Sequence, residues 1–260
     1  KEKRILVTND TDNHEGVVKV GRILSSLIFQ KESKIKGSLY HYIQINFTYN
    51  SNRIEGSKLT EDETRYIYET NTLFIDKSSV DIDDIVETSN HFYLFNRMLE
   101  TADKPLTGEL IKEYHRILKN GTTDSRISWF NVGEYKKLEN EVGGLETTHP
   151  KDVSKNIEKL IEEYSNNEKI KFKDILEFHH NFEIIHPFQD GNGRIGRLIM
   201  FKECLKNNIV PFIIEDEYKA YYYRGLAKYK EDKNFLEDTC FMMQDRYKVK
   251  VEKFLGKIRR

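Results

Sequence analysis

Apolar residues recur at helical spacing in four segments of this chain, and this periodicity constrains the fold more than any other feature. Each segment places apolar side chains at positions i, i+3, i+4 and i+7, which is typical of an amphipathic helix. The stripes are Ile82, Ile85, Val86, Ser89 and Phe92; Leu106, Leu110, Ile111, Tyr114, Ile117 and Leu118, preceded by a candidate N-cap at Thr107; Val153, Ile157, Leu160, Ile161 and Tyr164; and Ile195, Leu198, Ile199 and Leu205. Only four prolines interrupt the 260 residues. The pattern predicts an all-α fold.

Residues 129–150 depart from this pattern. Gly133, Gly143 and Gly144 separate short apolar pieces there, which favours an extended loop or a β-hairpin standing out from the helices. We divide the whole chain into three parts. Residues 1–38 form an N-terminal extension with a predicted strand over 4–10 and a helix over 16–30, residues 39–245 form the main domain, and residues 246–260 form a basic C-terminal helix end.

The charge and the cysteine content limit the partners and the compartment that we expect for this protein. The formal net charge of −1 gives no general attraction to nucleic acid or to anionic membranes. Cys204 and Cys240 lack the CxxC spacing of a zinc site, and they favour a reducing compartment. No apolar run approaches the roughly 18 residues of a membrane span, and the start does not resemble a signal peptide. We therefore expect a cytoplasmic protein with no membrane or nucleic-acid partner.

The run His186–Arg197, HPFQDGNGRIGR, follows an apolar helical segment and has the composition of a phosphate site. Pro187 should end the preceding helix near His186. Asp190–Gly193 then form a turn that can adopt positive φ, and the next helix begins at the end of this turn. Unpaired amides and the helix dipole make such a position favourable for anions.

Four side chains around this turn supply complementary chemistry. Arg194 and Arg197 lie three residues apart and can grip phosphate oxygens. Asp190 offers the hard oxygen ligand that Mg²⁺ prefers. His186 has the ordinary pKa best suited to proton abstraction near neutrality. These residues predict a nucleotide site with a general base beside it.

The same run resembles the Fic family, because it matches the signature HPFx(D/E)GNGRxxR at every specified position. The resemblance extends over about residues 39–245. It implies a Fic-type helical bundle with a small β-hairpin flap. The implied activity is that of a protein adenylyltransferase, with ATP as co-substrate and Mg²⁺ as cofactor. AMP would be transferred to a Tyr, Thr or Ser hydroxyl of a target protein or of the chain itself.

The resemblance also implies roles for the motif residues. His186 would deprotonate the target hydroxyl, and Asp190 would hold Mg²⁺ between the α- and β-phosphates. Gly191, Asn192 and Gly193 would cradle the phosphates, with Asn192 orienting the α-phosphate.

Further family roles fall on the arginines and on a tyrosine pair. Arg194 would bind the β/γ end and stabilise departing pyrophosphate, while Arg197 would reach the γ-phosphate. Tyr222 and Tyr223 resemble the tyrosines near the adenine, although aromatic residues at helical spacing are more often core.

The predicted hairpin resembles the family flap, from Tyr135 to Pro150. There Asn140, Glu141 and Val142 would pair with an extended target segment by strand addition.

A second motif fits the family's inhibitory helix pattern, (S/T)xxxE(G/N), over Ser51–Gly56. In the family this glutamate, here Glu55, pairs with the second motif arginine, here Arg197. A bidentate pair would take the place of the γ-phosphate, with Ser51 one turn earlier helping to fix Glu55. Gly56 suits a helix C-terminus, and Thr60 with Glu63 predicts a capping box for the next helix.

Other interpretations stay open at this stage. Fic relatives include transferases of other nucleotides or groups, although Gly193 argues against the phosphorylating variant, which has lysine there. Glu55 could position a water for removal of AMP, or the protein could be an ATP-sensing binding module. His179, Glu183 and His186 share a helical face as metal-ligand types, but seven residues span about 10.5 Å along a helix. The sequence leaves open whether the chain forms a homo-oligomer.

Overall fold

Ten α-helices dominate the part of the chain that the computed structural model describes, residues 17–19, 21–74, 79–143 and 145–259. The fold is all-α, as predicted. The helices are α1 (Gly21–Glu32), α2 (Leu39–Ile54), α3 (Glu61–Thr70), α4 (Ile82–Glu100), α5 (Gly108–Lys119), α6 (Val153–Ser165), α7 (Phe172–Ile185), α8 (Asn192–Lys206), α9 (Lys219–Lys228) and α10 (Asn234–Leu255). The strands are β1 (Val17–Lys19), β2 (Glu141–Val142), β3 (Leu145–Glu146) and β4 (Lys257–Arg259). Short 3-10 turns cover Asp124–Arg126, Pro150–Asp152 and Asp216–Tyr218.

The four apolar stripes lie on α4, α5, α6 and α8, so all four helix predictions are confirmed. The Thr107 side chain caps α5 by accepting a hydrogen bond from the Leu110 amide. Thr60 and Glu63 form the capping box of α3. Local side-chain chemistry therefore sets where these helices begin.

Near the two ends of the chain, the helices differ in extent from those predicted. The strand predicted over 4–10 lies outside the described residues, and the helix predicted over 16–30 is found as Gly21–Glu32. The basic C-terminal segment is helical only to Leu255. Gly256 adopts φ +86°, and Lys257–Arg259 then pair as β4 in parallel with β1.

Helix α8 runs through the centre of the core. Every residue from Arg194 to Leu205 is buried, and the helix contacts α1, α2, α4, α5 and α7. The Phe201 ring stacks on Phe47 at 5.3 Å between centroids and meets Phe95 edge-on at 5.6 Å. A helix enclosed on all sides cannot shift without disturbing the packing around it. The N-terminus of α8, which carries Arg194 and Arg197, is therefore held in a fixed place.

The predicted hairpin is present but short. Strands β2 and β3 pair antiparallel over two residues each, with Glu141 opposite Glu146 and Val142 opposite Leu145. Turns and irregular backbone fill most of residues 127–140. Among the described helices, none combines the length and apolar content needed to cross a membrane.

Candidate active site

The loop between α7 and α8 carries the candidate catalytic residues. Helix α7 ends at Ile185 because His186 adopts φ +49° and a proline follows. Gly191 supplies the second left-handed turn, at φ +83°, and α8 begins at Asn192 as predicted. The Asn192 amide accepts from the Phe188 N–H at 2.8 Å and donates to the Phe188 carbonyl at 2.8 Å. Asn192 therefore braces the loop with its own side chain. Its role in orienting the α-phosphate stays a prediction.

The His186 imidazole is mostly buried at the mouth of this loop. Burial, followed by the charge of Lys136, lowers its pKa to about 4. Its Nδ1 lies 4.0 Å from Oε2 of Glu183. The imidazole is therefore neutral at physiological pH, which is the form that can accept a proton.

The Asp190 carboxylate is held by two cations. Its Oδ2 lies 2.7 Å from Nζ of Lys119 and 3.1 Å from Nη2 of Arg194. Burial opposes ionisation, but Arg194 and Lys119 outweigh it and hold the pKa of Asp190 well below its ordinary range. Asp190 is therefore a carboxylate at any physiological pH.

Three carboxylates converge around Lys119. One oxygen from each of Glu87, Asp124 and Asp190 lies within 4.8 Å of the others, and this is the only such trio in the described ranges. The Lys119 ammonium bonds to all three, at 2.8 Å to Asp124 and 2.7 Å to Asp190. Lys119 thus takes the centre that a metal caged by the trio would need. Asp190, whose side chain is 46% exposed, still fits a single Mg²⁺ ligand at the edge of the site.

The two motif arginines have separate partners. Arg194 pairs with Glu87 and Asp190. Arg197 is buried and donates from Nη2 to Oε1 of Glu55 at 2.7 Å. The predicted Glu55–Arg197 pair is thus present in the structure, but it is a single hydrogen bond and not the bidentate pair that we expected.

Ser51 binds the same guanidinium. Its main-chain carbonyl accepts from Nη2 of Arg197 at 2.9 Å, and its hydroxyl accepts from Nε at 3.2 Å. Ser51 therefore fixes the guanidinium that Glu55 binds. A direct role of Ser51 in holding Glu55 stays a prediction. Glu55 is the C-cap of α2, and its carboxylate lies over Gly193, where an added Cβ would stand 3.0 Å from Cδ of Glu55.

Glu183 lies behind this pair. Burial, and then the charge of Glu55, raises its pKa to about 8. Its Oε1 lies 3.9 Å from Nδ1 of His179. The ligand atoms of His179, Glu183 and His186 do not all lie within 4.8 Å of one another, so these three side chains do not form the alternative metal site on α7.

The tyrosine pair is divided between core and surface. Tyr222 is 1% exposed, and its hydroxyl lies 2.6 Å from Nε2 of His179. Its ring belongs to the core, with the Arg197 guanidinium 6.0 Å from the ring centroid. Its place near the adenine stays a prediction. Tyr223 is exposed and donates to the Ile54 carbonyl at 3.2 Å.

The flap joins the site through Asn140. Its Nδ2 donates to the Phe188 carbonyl at 3.0 Å, and its Oδ1 accepts from Nζ of Lys136 at 2.7 Å. The Asn140 side chain therefore faces the catalytic loop. Glu141 and Val142 are exposed at the tip of the hairpin, which is compatible with their predicted contact with a target.

The sequence model of the Fic/DOC family matches residues 105–204, the segment that includes this loop. Residues 105–204 are a Fic domain.

Curated relatives agree with this assignment. The chain is 23% identical over 186 residues to protein adenylyltransferase fic-1 of Caenorhabditis elegans, covering 69% of this chain and 35% of that protein. It is 27% identical over 185 residues to protein adenylyltransferase Fic of Aedes aegypti, covering 69% of this chain and 36% of that protein. The chain thus spans about a third of the length of these curated relatives.

Solved structures share the fold. A Fic domain containing signaling protein from Bacteroides thetaiotaomicron superposes with a TM-score of 0.69 at 21% identity, covering 86% of this chain and 92% of that chain. A Fic family protein from Desulfovibrio desulfuricans superposes with a TM-score of 0.67 at 22% identity, covering 90% and 72%.

Several residues of this Fic domain site were missed by the sequence reasoning. His115 stacks on Phe188 at 3.9 Å between centroids and lies 3.1 Å from the Asp190 carbonyl, while Lys119 binds the carboxylates. Both are buried, and both follow Ile111 at four-residue steps along the apolar stripe of α5. Polar residues on an apolar helix face were the signal that could have identified them.

Proposed function

We propose that this Fic-domain protein transfers AMP from ATP to a hydroxyl of a protein, and that Glu55 restrains the transfer. The observation that carries the proposal is the place of the Glu55 carboxylate. It bonds to buried Arg197 and lies over Gly193, in the first turn of the helix that follows the His186 loop. An anion thus already lies at a helix N-terminus suited to phosphate. The names of the curated relatives support the same activity.

The proposed reaction uses this chain's own groups in sequence. His186 takes the proton from the target hydroxyl, and the hydroxyl oxygen then attacks the α-phosphorus of ATP. The new O–P bond forms as the bond to pyrophosphate breaks, and the pyrophosphate carries away the electron pair. Catalysis rests on positioning and on neutralisation of phosphate charge.

Asp190 would hold the Mg²⁺ that accompanies ATP. A bound Mg²⁺ neutralises phosphate charge as pyrophosphate leaves. Lys119 and Arg194 keep Asp190 ionised and fixed in place, so that its carboxylate needs no reorganisation to act as a ligand.

Glu55 would act by competition for Arg197. A γ-phosphate near Arg197 would need the donor that Glu55 now accepts from and the space over Gly193. While Glu55 remains, two negative groups would share that space, and ATP would be excluded from the productive pose.

The test is autolabelling with ATP that carries radioactive α-phosphate. Glu55→Gly should label more strongly than the wild type, and His186→Ala in the Glu55→Gly background should not label while it still binds ATP. Glu32→Gly, at the exposed end of α1, is the matched control and should label like the wild type. Mass spectrometry of the labelled protein distinguishes AMP from a transferred phosphate.

Two outcomes would reject separate parts of the proposal. Equal labelling of the wild type and Glu55→Gly would remove the restraint assigned to Glu55. Absence of an AMP adduct on Glu55→Gly and on proteins offered as targets would remove the transfer itself.

A further inference from the structure

Lys136 is a buried lysine with no carboxylate among its hydrogen-bond partners in the described part of the chain. The residue is 3% exposed at the base of the flap. Its Nζ lies 2.6 Å from Oγ1 of Thr147, 2.7 Å from Oδ1 of Asn140 and 3.5 Å from the Ile185 carbonyl. Lysines are almost never buried unless they are paired. The hydrogen bonds of Lys136 must therefore offset the cost of removing its charged ammonium from water.

The partners of Lys136 join the flap to the catalytic loop. Its main-chain N–H donates to the Pro187 carbonyl at 2.8 Å, and Asn140 donates to the Phe188 carbonyl at 3.0 Å. With the Ile185 carbonyl, these contacts lie on both sides of His186 in the sequence. A displacement of Lys136 would therefore disturb the flap and the backbone that carries His186 together.

Lys136 also supplies charge to the site. After burial, its charge is the largest influence that lowers the pKa of His186. The opposing influences come from the Glu183 main chain and from the carboxylates of Glu55 and Asp190. Burial in turn lowers the pKa of Lys136 to about 8, so the ammonium is still mostly protonated at pH 7.

We propose that Lys136 is a positioning residue, which anchors the flap to the loop of His186 and keeps a positive charge beside that imidazole. The role for a bound target rests on the proposed function, because a segment paired with the flap would be delivered next to the base. The anchoring itself is a property of the folded chain and can be measured without ATP.

Three variants separate the two effects. Lys136→Met keeps the length of the side chain but removes the charge and its hydrogen bonds. Lys136→Arg restores a cation. Thr147→Val removes a hydroxyl that accepts from Lys136 and donates to Asn140, while leaving the charge of Lys136 in place. The readouts are amide hydrogen exchange of residues 139–147 and an NMR titration of His186, assigned by comparison with His186→Ala.

The expected results differ between variants. Thr147→Val should speed exchange in the flap by at least about fivefold, because each lost hydrogen bond is worth about 1 kcal/mol, with the pKa of His186 unchanged. Lys136→Met should speed exchange by at least about tenfold and raise the pKa of His186. Lys136→Arg should keep that pKa near the wild-type value. In the Glu55→Gly background, Lys136→Met should raise KM for the protein target more than it lowers kcat.

The proposal is overturned if Lys136→Met leaves both flap exchange and the His186 titration as in the wild type. It is also overturned if Lys136→Arg shifts the titration as far as Lys136→Met. If both physical readouts move but no variant transfers AMP, the anchoring role stands and the proposed function fails.

Discussion

Glutamine at position 183 should change how the free energy of unfolding depends on pH. The Glu183 carboxyl is buried, and its Oε1 has no hydrogen-bond partner in the described part of the chain. Burial, and then the charge of Glu55, raises its pKa from 4.5 to about 8. The folded protein therefore holds a proton that the unfolded chain has released above pH 4.5.

The sign and size follow from linkage between protonation and folding. Because the folded-state pKa is the higher one, the stability that Glu183 contributes is fully present below pH 4.5 and is lost as pH rises toward 8. The loss is about 1.4 kcal/mol for each pH unit within this window. Between pH 5 and pH 8 it amounts to at most about 4 kcal/mol. Glutamine has nearly the same shape and no such titration.

The assay is urea unfolding of the wild type and Glu183→Gln at pH 5, 6, 7 and 8. The difference in free energy of unfolding should move in favour of the variant by about 1.4 kcal/mol per pH unit. Glu177→Gln, an exposed change on the same helix, should run parallel to the wild type. If Glu183→Gln also runs parallel to the wild type, Glu183 is ionised in the folded protein and the argument from its burial fails.

Three further changes test other parts of the structure. Gly193→Ala should displace Glu55 from Arg197, since the new Cβ would stand 3.0 Å from Cδ of Glu55; a crystal structure of the variant checks this. Phe201→Ala should lower the free energy of unfolding by about 3–5 kcal/mol, measured in urea at pH 7, because its ring is fully buried in the core. Thr60→Ala removes the cap of α3 and should cost about 1 kcal/mol in the same assay, whereas Thr60→Ser should cost little.

Features set by neighbouring residues were predictable from the sequence. Thr107 and Thr60 begin their helices as expected, because capping depends on residues within one turn. Pro187 and Gly191 shape the catalytic loop for the same reason, since each restricts or frees its own backbone dihedrals. The end of α7, the loop and the start of α8 are therefore set by residues close to each of them in the sequence.

Partners distant in the sequence were not predictable in the same way. Lys119 and Asp190 are 71 residues apart, and only the packing of α5 against the loop brings them to 2.7 Å. Lys136 likewise gains its role from carbonyls about 50 residues further along the chain. The Glu55–Arg197 contact was anticipated through the family pattern, but its geometry depends on Ser51 occupying two donor directions of the guanidinium.

This division of donors bears on how Glu55 could be released. Ser51 binds Nε and Nη2 of Arg197 without help from Glu55, so the guanidinium should keep its orientation when the glutamate leaves. What Glu55 adds is one charge-assisted hydrogen bond from a side chain that is 26% exposed. Such a bond is worth about 1.5–3 kcal/mol, or roughly a 10- to 150-fold change in an equilibrium constant. In the proposed restraint, losing this bond would favour productive ATP binding by the same factor, and a small movement of the α2 C-terminus would be enough to break the bond.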